Sequence, residues 1–143
     1  MKKRANIGGL VALIIGVVAT VVTCSIGVAV SVRVSNNGRN WALPLPFTKS
    51  VPYEDVTVNA DKGKLYCSLE NNVGKTTSFK ITYKAKKNGL YSTVFNGSLK
   101  KNGLAANIYI DKTSGWNKRY FRIHQKNNLS NETTHAYFYA KVV

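Results

Sequence analysis

The groups that most often carry chemistry in a protein are carboxylates, imidazoles and thiols, and this chain is poor in all three. Its acids are Glu54, Asp55, Asp61, Glu70, Asp111 and Glu132, its imidazoles are His124 and His135, and its thiols are Cys24 and Cys67. Glu54 and Asp55 are neighbours, and neighbours on a strand point to opposite faces. The spacing therefore yields no acid/base pair. No Gly-rich phosphate loop, nucleophile elbow or zinc-ligand spacing occurs. Two His are too few ligands for a metal site. Cys67 falls on the inward side of an alternating segment and reads as a buried, inert thiol. The expectation is a protein that is not an enzyme and holds no cofactor or metal.

Cations and aromatic rings are the abundant material. Twenty-one Lys and Arg against 6 acids give a formal net charge of +15, and Tyr occurs eight times. If segments 118–125 and 134–142 form a hairpin, His124 faces His135, Arg122 faces Tyr137, Tyr120 faces Tyr139 and Lys118 faces Lys141. All then lie opposite Phe121, Ile123, Phe138 and Ala140. The six residues Tyr120, Arg122, His124, His135, Tyr137 and Tyr139 make a candidate binding face. Such a face can stack on sugar rings or hold an anionic polymer through cations and rings. In a filament it can pack on a neighbouring subunit. Tyr also favours strands for its own β propensity, so an ordinary solvent-facing sheet gives the same pattern. Lys80, Lys84 and Lys86 can attract polyanions, or guard an edge strand against aggregation. No nucleic-acid recognition element is visible, and excess charge alone gives weak, salt-sensitive binding.

Strands must position these residues. Leu65, Cys67 and Leu69 alternate with polar neighbours, as do Phe79, Ile81, Tyr83 and Ala85. Ala106, Ile108 and Ile110 repeat the pattern, then Phe121 and Ile123, then Ala136, Phe138, Ala140 and Val142. Period two over short segments marks half-buried strands. About seven are expected, at 51–58, 64–70, 78–86, 90–95, 105–111, 118–125 and 134–142. The fold class is all-β: an antiparallel β-sandwich, immunoglobulin-like or jelly-roll-like. The pentapeptide KKNGL occurs at 86–90 and again at 100–104. Asn-Gly tolerates the positive φ of a type I′ hairpin turn, so the repeat reads as one turn built twice, with Leu opening the next strand. Asn96-Gly97 reads as a further turn or a bulge.

The N-terminal region is different. Lys2, Lys3 and Arg4 precede an uncharged stretch from Ile7 to Val32. As a helix it spans roughly 39 Å, longer than a hydrocarbon core of about 30 Å and than a signal-peptide apolar region. A membrane helix over 6–32 is expected, with the basic residues 1–5 in the cytoplasm and the rest outside. Ala29-Val30-Ser31 has the small residues a signal peptidase reads, so cleavage there is the alternative. Gly8, Ala12, Gly16, Thr20 and Cys24 recur every fourth residue, a small-residue stripe that lets helices pack closely as homo-oligomers. Residues 33–46, with Asn-Gly and two Pro, read as a linker to an extracytoplasmic domain over 47–143. Asn96, Asn128 and Asn131 begin N-glycosylation sequons, all in expected turns or loops.

The stretch KKRANIGGLVALIIGVVATVV resembles the class III leader and core helix of archaeal type IV pilins and related filament subunits. The resemblance covers roughly the first thirty residues and the general plan of a β-rich head. It implies peptidase cleavage after Ala5 in the Arg4-Ala5-Asn6 sequence, leaving Asn6 first. It also implies helices bundled in a filament core and a structural, adhesive role. Asn6 is an unusual first residue for that family, and the acidic residue of bacterial pilins is absent. Two functions follow. One is a pilin-like filament subunit at the cell surface. The other is a single-pass anchored module that binds an anionic or carbohydrate envelope polymer.

Overall fold

The computed structural model describes residues 29–143. The expectations on the leader (Arg4, Ala5, Asn6), the apolar helix and its stripe (Gly8, Ala12, Gly16, Thr20 and Cys24) lie outside them. Among the described residues no helix is long and apolar enough to cross a membrane.

Among the described residues, alternating apolar residues pair into nine strands rather than seven: β1 (Val30–Val34), β2 (Trp41–Phe47), β3 (Tyr53–Ala60), β4 (Gly63–Asn72), β5 (Thr77–Lys84), β6 (Ser92–Leu99), β7 (Leu104–Thr113), β8 (Asn117–Gln125) and β9 (Thr134–Val142). They form a five-stranded sheet in the order β1-β3-β8-β5-β6 and a four-stranded sheet in the order β2-β9-β4-β7. Successive strands alternate in direction, so every connection lies at one of two ends. The base end holds 48–52, 73–76, 100–103 and 126–133, and the top end holds 35–40, 61–62, 85–91 and 114–116. Only the β5–β6 connection stays within one sheet.

Residues 33–46 are not a linker, and the strand at Val30–Val34 removes the end of the expected helix. β1 pairs in parallel with β3, and β2 pairs with β9. Val32, Val34, Leu43, Leu45 and Phe47 are all buried. The two prolines of β2 fit because β2 is an edge strand, where a missing N–H need not break a ladder. The core lies between the sheets. Phe121 of β8 meets Phe138 of β9 across it at 5.3 Å, and Phe47 of β2 meets Phe79 of β5 at 6.5 Å. Cys67 is fully buried there, and burial raises its thiol pKa far above the usual range.

β7 departs from the expected phase. Cys67 pairs with Tyr109 but Leu69 pairs with Ala105, so β7 carries extra residues opposite Ser68. Such a bulge resets which side chains face in. Ile110 is exposed, while Tyr109 packs on Tyr83 at 4.4 Å and on Phe121 at 5.2 Å. Asp111 then accepts from the Tyr109 hydroxyl and pairs with Arg119. Of the expected inward set, Ala106 and Ile110 are exposed, while Ile108 is partly buried and packs against the core.

The two KKNGL turns differ. Both close with an N–H to carbonyl bond from Gly to the first Lys, 2.9 Å for Gly89 and 2.8 Å for Gly103. Asn102 has φ 59°, whereas Asn88 is not among the positive-φ residues. Neither is a type I′ turn, which needs positive φ at both central positions. Leu104 opens β7, but Leu90 is 93% exposed and precedes β6. The second turn carries the chain between sheets and is held by buried Asn71. Its Nδ2 donates to the carbonyls of Lys75, Leu99 and Lys100, and its Oδ1 accepts from Val73 N–H. Asn96-Gly97 is not a turn but lies inside β6, opposite Lys80 and Phe79.

Candidate anion-binding face

The expected hairpin of the last two strands does not form. β8 pairs with β3 and β5, and β9 pairs with β2 and β4 in the other sheet. The eight-residue connection 126–133 crosses between sheets, so Tyr120, Arg122 and His124 are separated from His135, Tyr137 and Tyr139 by the thickness of the sandwich. Period two gave the facing of each residue correctly. It carries no information on which strand is the neighbour.

The first trio is joined on the outer face of the five-stranded sheet by residues of other strands. Register sets them in rows across the sheet. Tyr53, His124, Lys80 and Asn96 form one row near the base, followed toward the top by Asp55, Arg122 and Thr82. Next come Ser31, Thr57, Tyr120 and Lys84, then Arg33, Asn59 and Lys118. Rows two residues apart are about 6.7 Å apart, so the four rows span about 20 Å.

Arg122 organises the centre of this face. Its Nε lies 2.7 Å from Asp55 Oδ1 and its Nη2 3.0 Å from Oδ2, a bidentate pair. Its guanidinium carbon sits 4.6 Å from the Tyr53 ring centre and 5.0 Å from that of Tyr91. Hydrogen bonding to Asp55 raises its pKa further above an already high value. Its charge is therefore engaged within the sheet, and the residue positions two aromatic rings. Lys84 Nζ lies 4.6 Å from the Tyr91 ring centre and 5.9 Å from that of Tyr120. Tyr53 and His124 lie against each other at 5.4 Å. Burial, with the charges of Arg122 and Lys80 adding to it, lowers the His124 pKa and so favours the neutral ring.

Tyr53, Tyr91 and Asp55 were not among the sequence candidates. Tyr91 comes from the β5–β6 connection and folds back over the sheet, a placement no periodicity reports. Glu54, next to Asp55, is buried inside the sandwich as strand alternation requires. At the top of the face Arg33 stacks 4.0 Å from the ring of Trp116, which has φ 31° and is 42% exposed. Lys86 lies beyond the end of β5, in the connection rather than on the sheet.

The second trio faces outward from the four-stranded sheet. Tyr137 and Tyr139 lie 6.4 Å apart, and the Tyr139 hydroxyl donates to Glu70 Oε1. Of the three sequons, Asn96 is in a strand and Asn131 is in an exposed loop. Asn128 has φ 59° and donates to Thr76 O and Thr77 Oγ1, so its amide is engaged in holding the base. Among the described residues no group of three or more His, Cys, Asp or Glu is placed to hold a metal.

No protein-family model matches the chain, and no curated protein matches it. Solved structures similar to it include the pre-peptidase C-terminal domain of collagenase from Bacillus anthracis. That domain has 14% identity and a TM-score of 0.44, with 79% of this chain and 94% of that one covered. PliG of Salmonella Typhimurium, a periplasmic inhibitor of g-type lysozyme, has 14% identity and a TM-score of 0.41, covering 79% and 97%. PliG of Aeromonas hydrophila has 11% identity and a TM-score of 0.37, covering 81% and 100%. At these identities no residue correspondence carries over.

Proposed function

We propose that the protein is a membrane-anchored, extracytoplasmic binding module that holds an anionic envelope polymer along the outer face of its five-stranded sheet. The observation that carries this reading is the interleaving of Tyr53, Tyr91 and Tyr120 with Arg122, Lys80 and Lys84. The lone carboxylate there, Asp55, is taken up by Arg122. Rings beside free ammonium groups suit a polymer that offers both flat surfaces and negative charge. Stoichiometry supports it too. Residues 29–143 hold eighteen Lys and Arg against six acids, so even full pairing leaves twelve cations without a carboxylate. The proposed anchor is the part of the uncharged stretch that precedes β1, residues 7–29, with Lys2, Lys3 and Arg4 before it.

The strand orders β2-β9-β4-β7 and β3-β8-β5-β6 support a jelly-roll rather than an immunoglobulin-like reading, with β1 added at one edge. That architecture positions the face but assigns no function by itself.

Binding of the full chain to dextran sulfate and to uncharged dextran, measured across a salt series, tests the proposal. Dextran sulfate should bind far more tightly than uncharged dextran, and its log affinity should fall linearly with log salt. A Lys80→Gln/Lys84→Gln double variant should reduce the slope by about one per cation removed. Equal binding of both polymers, or an unchanged slope in the variant, would refute the assignment.

A further inference from the structure

The opposite sheet carries a second feature of different chemistry. Beside the bulge in β7 opposite Ser68, a depression of about 340 Å³ lies on the outer surface. Tyr66, Ser68 and Glu70 of β4 line it, with Tyr139 and Lys141 of β9 on one side and Leu104 and Asn107 of β7 on the other. Its size is at the lower end of the range for small-molecule sites, about 300–1,000 Å³.

Three details distinguish it from a chance dent. Asn107 is a non-Gly residue at φ 52°, and its N–H donates to Ser68 Oγ at 3.1 Å, which fixes the shape of the bulge. Left-handed non-Gly residues and bulges concentrate where a strand is re-aimed for a purpose. Glu70 is held by the Tyr139 hydroxyl, so one carboxylate is oriented before anything binds. Lys64 and Lys141 each place Nζ 5.7 Å from the Tyr66 ring centre, which orders the lysine that lines the depression.

The lining balances one carboxylate against one ammonium, unlike the strongly basic face across the sandwich. It offers acceptors and donors together: Glu70, the Asn107 amide, the tyrosine hydroxyls and Lys141. Its apolar contact is limited to Leu104 and the Tyr66 ring. A ligand with hydroxyls around its rim and one C–H face meets these requirements, and a polyanion does not. We infer that this depression is a binding site for a neutral saccharide unit, with Glu70 as the acceptor of sugar hydroxyls. The module would then read two chemistries from opposite faces.

The test uses the full chain and four uncharged probes: cellobiose, maltose, lactose and N,N′-diacetylchitobiose. Binding is followed by saturation-transfer NMR and calorimetry. At least one probe should bind with little salt dependence. Glu70→Gln keeps an acceptor for Tyr139 but removes the charge, and should weaken that probe about tenfold, the size of one charge-assisted hydrogen bond. Asn107→Gly keeps the backbone conformation, removes the amide, and should weaken it too. The Lys80→Gln/Lys84→Gln variant should bind the probe as the wild type does. If none of the four probes binds, or if both Glu70→Gln and Asn107→Gly bind normally, the site is not what we infer. Should Glu70→Gln fail to fold, Asn107→Gly decides. Dextran sulfate binding separates the two proposals, because it should persist in Glu70→Gln whatever the disaccharides do.

Discussion

At the scale of single residues, the polar groups that fell out of view in the sequence do much of the positioning. Asn71 sits on the inward phase of β4 and satisfies three carbonyls and one N–H where two connections meet. Asn71→Ala should destabilise the protein by about 2–4 kcal/mol in urea unfolding, because several buried groups lose their partner together. Asn71→Asp should also destabilise, since a carboxylate cannot donate to those carbonyls. Nothing in the pattern of Leu69 and Asn71 distinguished a clamp from an ordinary strand end, because two of the four partners, Leu99 and Lys100, lie far along the chain. His124 makes a second prediction. Its folded pKa is below the unfolded value near 6.5, so the unfolded chain binds the proton more readily. Stability should therefore be full above about pH 6.5 and fall as pH drops from there through the folded pKa. Comparing melting temperatures at pH 7.5 and pH 5.5, the drop should be smaller in His124→Gln than in the wild type. An equal drop would remove His124 as its source.

At the scale of elements, the strands themselves were legible and their partners were not. β4 and β9 show clean alternation, and their inward residues are the buried ones. β1 and β2 were hidden for different reasons. β1 merges with an apolar run that reads as helix, and β2 carries two prolines that read as a breaker until its place at a sheet edge is known. β7 changes phase at its bulge, which no fixed period reports. The corrected domain start has a measurable effect. A fragment beginning at Ala42 lacks Val32 and Val34, each fully or nearly buried. It should be less stable in urea than one beginning at Ala29 by several kcal/mol, at about 1.5–3 kcal/mol per buried side chain. Equal stability would mean that β1 is dispensable. In a host that N-glycosylates, peptide mass mapping should find glycan on Asn131 but not on Asn128, whose amide is committed to Thr76 and Thr77.

At the scale of the whole molecule, the candidate face was half legible. Tyr120, Arg122 and His124 do share an outer surface with Lys80 and Lys84, but His135, Tyr137 and Tyr139 do not belong to it. Composition alone foretold the charge excess, which is a global sum, whereas the split followed from strand order, which is not. The binding-module and filament readings differ in one property of the intact chain. The anchored module should retain Met1 to Ala5, visible as the full mass of the native protein. A mass corresponding to a start at Asn6 would favour the filament instead.

The parallel pairing of β1 with β3 sets how the molecule would carry a load. The chain enters at the base through β1, whose five residues are matched one to one with Val56 to Ala60. If the N-terminus is tethered and the sheet face is held by a polymer, tension runs along the strand axis. The β1–β3 hydrogen bonds are then loaded in shear and must yield together rather than unzip singly. An added edge strand of this kind would work as a mechanical latch between tether and cargo.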